Sequence, residues 1–117
     1  IAGVIGFGEA IKYLNKIGID NIHKRELDLR KYLIDKLIPL KHIDIINIES
    51  DSGIVTLNVS NIFSQDVAYY LNKYNVCVRA GNHCAKILKS SVGVNNTVRV
   101  RLYFYNTLEE NYSLLEL

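Results

Sequence analysis

The chain contains a single proline, Pro39, and the hydrophobic period changes across it. Before it, apolar residues recur every three or four positions, the spacing of a helix face; beyond it they alternate, the spacing of a strand. Val4, Phe7, Ile11 and Leu14 predict an amphipathic first helix that stops at Gly18, and Gly3, Gly6 and Gly8 suit it to close packing. Asp20 stands where it can cap a second helix with apolar positions at Leu27, Ile34, Leu37 and Ile38. Pro39 ends that helix, because its ring and missing N–H cannot continue one. The mixed charges of Lys24, Arg25, Glu26, Asp28, Arg30, Lys31 and Asp35 read as a solvated face.

Past the proline, Ile43, Ile45, Ile46 and Ile48 predict an irregular strand, Asp51-Ser52-Gly53 a turn, and Ile54–Val59 an antiparallel neighbour. Ser64 opens a short helix to about Lys73, with Val67, Tyr70 and Leu71 inward, and Val76–Arg79 reads as the next strand. A strand, helix and strand of this length imply a right-handed crossover between parallel strands. In the last strand, Val98, Val100, Leu102 and Phe104 share one face, and Arg99, Arg101, Tyr103 and Tyr105 the other. Thr107-Leu108-Glu109-Glu110 has the spacing of a capping box and starts a final helix. The expected architecture is a small open α/β (α+β) sandwich, a mixed sheet with helices on one face.

With 117 residues and 49% hydrophobic content, one domain with a real core is expected. Fourteen basic against twelve acidic residues leave a net charge of +2 with no basic stripe, which argues against a nucleic-acid partner. Glu9 and Lys12 interrupt the apolar start well short of the roughly 20 residues of a membrane span. Two cysteines, Cys77 and Cys84, are too few for a disulfide scaffold and lack zinc-ligand spacing, so a reducing, cytoplasmic setting and no metal are expected. The start at Ile1 and the end inside a helix are expected to mark a piece of a longer protein.

The chemistry concentrates in Arg79-Ala80-Gly81-Asn82-His83-Cys84-Ala85. A thiol attacks as thiolate, and neighbouring cations favour that form. Cys84 therefore reads either as a nucleophile or as a small packed thiol. Gly81 reads as supplying a backbone angle that a side chain would obstruct. Cys77, on the other parity of the expected strand, reads as structural, and a Cys77–Cys84 disulfide is not expected.

The run Val78–Ala85, followed fifteen residues after the cysteine by Arg99 and then by Leu102-Tyr103-Phe104-Tyr105-Asn106-Thr107, resembles the carboxy-terminal domain of cysteine desulfurases. More narrowly, it is similar to their second group, which feeds sulfur to iron–sulfur cluster assembly. The resemblance implies the small domain of the aspartate-aminotransferase fold in a pyridoxal-phosphate enzyme, with residues 1–16 as an inter-domain helix and the cofactor lysine in a preceding large domain. It implies that Cys84 takes sulfur from L-cysteine as a persulfide, leaving alanine, and that Arg99, rather than Arg101, grips the substrate carboxylate. Arg79 then orients substrate, stabilises a thiolate or ties down the loop. His83 tunes the thiol or is merely solvated; Asn82 stands where the family usually has histidine, so it can hydrogen-bond but not titrate. Lys86 and Lys89 match no cofactor position. A sulfur-acceptor protein and a homodimer of the whole enzyme are the implied partners. Selenocysteine lyase activity, another class-V enzyme, a free-standing sulfur carrier and a non-catalytic binding module are the alternatives.

Overall fold

The computed structural model describes residues 1–85, 87, 91 and 93–116. In chain order its elements are α1 (Ala2–Ile17), α2 (Ile19–Leu37), β1 (Ile43–Ile45), β2 (Ile54–Val59), α3 (Ser64–Asn72), β3 (Arg79–Gly81), β4 (Thr97–Arg101) and α4 (Leu108–Leu115). Gly18, at φ 92, breaks α1 from α2 in a conformation that glycine adopts without steric cost. The second helix restarts at once, so Gly18 is itself the N-cap. Asp20 falls inside the first turn, where its charge faces the helix dipole but caps nothing. No residue of α1 is buried, and a methyl group at Gly3, Gly6 or Gly8 would meet no atom within 4 Å.

Helix α2 carries the core stripe, burying Ile22, Leu29, Leu33, Ile34 and Leu37. Ile38, expected inside, is the C-cap residue and is 57% exposed, because the helix axis has already ended there. The stripe packs on one sheet face, where Val55 lies opposite Val100 and Leu57 opposite Val98. Val67 of α3 and Leu114 and Leu115 of α4 complete that layer. Each fully buried valine or leucine contributes roughly 1.5–3 kcal/mol.

The sheet order is β1-β2-β4-β3, and each neighbouring pair is antiparallel. Among the described residues the mixed pairing expected from the sequence does not form. β2 and β3 do run the same way, but β4 lies between them, so the crossover through α3 spans an intervening strand. The strand expected at Val76–Arg79 is displaced to Arg79–Gly81, since the Val76 amide closes the end of α3 on the Leu71 carbonyl (3.1 Å). Tyr70, expected inward, is 45% exposed and packs against Tyr74 with ring centroids 5.2 Å apart. The last strand stops at Arg101, because the Asn106 side chain accepts the Tyr103 amide (2.8 Å) and turns the chain. The Thr107–Glu110 capping box is fully formed at the start of α4.

Arg30 corrects the expected solvated face most sharply. It is 3% exposed, and its guanidinium donates to the backbone carbonyls of Asn47, Ile48, Ser52 and Ile54. Burial pulls its pKa below the usual arginine range, and Asp51 partly offsets that. Asn47 supports the same turn by donating to the Ile54 carbonyl and accepting the Thr56 amide, both at 2.8 Å. At Gly53 a methyl group would lie 2.4 Å from the Leu102 carbonyl oxygen, so glycine is required for the close approach of this turn to β4. Arg30→Ala leaves the turn carbonyls without their donor and is expected to cost about 3 kcal/mol or more in urea unfolding. Arg25→Ala, which removes one half-buried bond to the Asn106 carbonyl (3.2 Å), is expected to cost about 1 kcal/mol.

Candidate functional site

The sheet face turned away from the core is defined by register. Thr56 on β2 pairs with Arg99 on β4, and Arg99 pairs with Arg79 on β3, so three polar side chains form one row across three strands. The next row on this face places Thr97 opposite Gly81. Over it opens a cleft of about 500 Å³ whose lining includes Ile46, Asn47, Thr56, Asn82, His83, Ala85, Thr97 and Arg99. The turn that Arg30 fastens from below thus supplies the wall at Asn47. Arg79 and Cys84 are exposed beside the cleft, the first as the cross-strand partner of Arg99, the second between two lining residues.

Two like charges directly opposite on adjacent strands repel. A pair held so by backbone hydrogen bonds is suited to an anion, and a carboxylate matches the guanidinium fork in two-point contact. Arg101 lies on the same face but is exposed, stands 5.9 Å from the Tyr103 ring centre and does not line the cleft.

The loop after β3 is bent by three residues with positive φ: Gly81 at 118, His83 at 50 and Cys84 at 61. A methyl group at Gly81 would meet open space, so its glycine answers to the backbone angle and not to crowding. For His83 and Cys84 the left-handed conformation costs roughly 1–2 kcal/mol each. Three interactions hold it. The Ala85 amide donates to the Asn82 carbonyl (2.8 Å), His83 Nε2 meets Thr97 Oγ1 (2.7 Å), and Arg79 Nη2 donates to Cys84 Sγ (3.6 Å). Burial lowers the His83 pKa, the charges of Arg99 and Arg79 lower it further, and a hydrogen bond to the Thr97 backbone opposes them. Burial and the two arginines thus favour the neutral imidazole, whose buried Nδ1 has no partner among the described residues.

Cys77 and Cys84 are both free and exposed. Cys77 lies outside the described strands, its Sγ 3.9 Å from Asn72 Oδ1, so the strand placement expected of it is corrected. Exposure does not distinguish the two thiols; the guanidinium beside Cys84 does. Thr97 escaped notice in the sequence, although the parity that puts Arg99 and Arg101 on one face puts Thr97 there too. Lys86 and Lys89 lie outside the described residues.

Residues 1–114 match the aminotransferase class-V family model. The chain is 40% identical over 110 residues to a probable cysteine desulfurase of Halalkalibacterium halodurans and 39% identical over 112 residues to one of Staphylococcus aureus. Each match covers 94% of this chain but only 27% of the relative. Among solved structures, the apo cysteine desulfurase of Thermococcus onnurineus superposes with a TM-score of 0.91 at 33% identity, covering 97% of this chain and 29% of that one. A cysteine desulfurase of Escherichia coli in an S-sulfonic acid form superposes with a TM-score of 0.92 at 26% identity, covering 98% and 29% respectively.

Because the folded chain resists protonating His83, its imidazole is expected to titrate below the usual 6.5 when followed by NMR. The sign for stability follows: the unfolded chain binds this proton more readily, so stability falls as pH drops through that value. His83→Gln removes this fall from the pH dependence of the urea midpoint.

Proposed function

This chain belongs to the class-V aminotransferase family, and from that premise we propose that it forms the thiol-bearing part of a cysteine desulfurase. The observation that carries the reading is Arg79 donating to Cys84 Sγ while standing opposite Arg99 across the sheet. The amino acid lies with its carboxylate toward the Arg99 guanidinium, Arg79 adding charge on the same face. The Cys84 thiolate attacks the substrate sulfur. An S–S bond forms as the substrate C–S bond breaks, and the carbon takes up a proton, leaving alanine and a persulfide on Cys84. Arg79 is placed to stabilise negative charge on the attacking sulfur.

The family implies pyridoxal phosphate, which when bound supplies electron withdrawal from the amino acid. The described residues of the cleft include no lysine amine, so they fit the substrate's carboxylate and sulfur and do not fit attachment of that cofactor. In this reading the attachment site belongs to the part of the enzyme outside the 27% of its curated relatives that this chain spans. The exposed Cys84 suits onward transfer of sulfur to an acceptor protein for iron–sulfur cluster assembly. The two free thiols suit a reducing, cytoplasmic setting, and the resemblance to cysteine desulfurases implies a homodimer of the intact enzyme.

In the intact enzyme, alanine release from L-cysteine measures this directly. Cys84→Ser is expected to bring turnover to background. Arg99→Lys, which keeps charge but loses the fork, is expected to lower kcat/KM by about 10- to 100-fold, mostly through KM. Wild-type turnover that survives Cys84→Ser would exclude the proposed attack.

A further inference from the structure

We propose that Thr97 is a positioning residue for Cys84, acting through His83; this deepens the desulfurase reading and rests on it for its kinetic consequence. Two consecutive non-glycine residues, His83 at φ 50 and Cys84 at φ 61, keep a left-handed backbone only if their surroundings hold them there. The turn hydrogen bond from the Ala85 amide to the Asn82 carbonyl is local to the loop and does not fix the loop's placement over the sheet. The link from His83 Nε2 to Thr97 Oγ1, at 2.7 Å, does fix it. Thr97 is buried on β4, the strand that carries Arg99 two residues on, and it stands opposite Gly81, where the chain leaves β3 for the loop. One hydroxyl therefore ties the loop to the strand holding the carboxylate-binding arginine, fixing the distance between the anion subsite and the attacking sulfur. Once that tie is cut, the Cys84 backbone is free to relax and Sγ leaves Arg79, from which it is now 3.6 Å.

The test compares Thr97→Val, which keeps the shape and strand preference but removes the hydroxyl, with Thr97→Ser, which keeps the hydroxyl. Iodoacetamide alkylation of Cys84 in the intact protein, followed against pH by peptide mass spectrometry, needs neither cofactor nor turnover. Thr97→Val is expected to slow Cys84 alkylation by about 5- to 10-fold across the pH range followed, leaving Cys77 unchanged; Thr97→Ser stays within twofold of wild type. His83→Ala, which removes the ring and with it the bond to Thr97, is read the same way, tracks Thr97→Val and serves should that variant fold poorly. In turnover, kcat falls by a similar factor while KM for L-cysteine holds, since both arginines are untouched. A Thr97→Val protein whose Cys84 profile matches wild type overturns the positioning role, as does a loss in KM alone or a Thr97→Ser protein as impaired as the valine variant. If wild type shows no turnover while the alkylation differences hold, the desulfurase reading fails and the loop tie stands.

Discussion

Two guanidiniums held opposite one another on adjacent strands are an arrangement that folding alone does not favour. Arg79 and Arg99 are cross-strand partners, and among the described residues no acidic side chain stands in their row. What holds them there is the other side of the sheet, where β2 and β4 bury Val55, Leu57, Val98 and Val100 under α2. A one-residue slip of β4 would bring the arginines into that core, so the hydrophobic pattern and the location of the positive charge are set by the same register.

The remaining parts act on this row from its two ends. From below, buried Arg30 gathers the carbonyls of the turn before β2, and Asn47 in that turn walls the cleft. From above, the loop after β3 folds back under strain and presents Cys84 to Arg79. A buried arginine satisfied by backbone oxygens and an exposed arginine satisfied by a thiol have opposite consequences. The first makes a rigid wall; the second keeps a charge available for an anionic ligand or a sulfur that carries charge.

Much of this was legible in the residues. The change of period at Pro39, the alternation Val98-Val100-Leu102 and the Thr107–Glu110 capping box each predicted the element that forms, because each depends on near neighbours in sequence. The motif around Cys84 pointed to residues that the structure does place around one cleft. What sequence could not supply were relations across the fold. Arg30 sits in a charged run, and only the approach of the turn at Asn47–Ile54 shows that it is buried. The insertion of β4 between β2 and β3 depends on long-range pairing, and the end of the last strand on an asparagine side chain at Asn106 that caps a turn. The partner of Thr97 depends on a loop whose positive φ values carry no signature in His-Cys.

The central claim is that sulfur from the amino acid lands on one particular thiol of two that are both exposed to solvent. The most direct measurement is mass-spectrometric mapping of the intact protein after brief exposure to L-cysteine. An added sulfur, about 32 Da, is expected on the peptide carrying Cys84 and not on the one carrying Cys77. Sulfur on Cys77, or on neither thiol while alanine accumulates, would contradict the account.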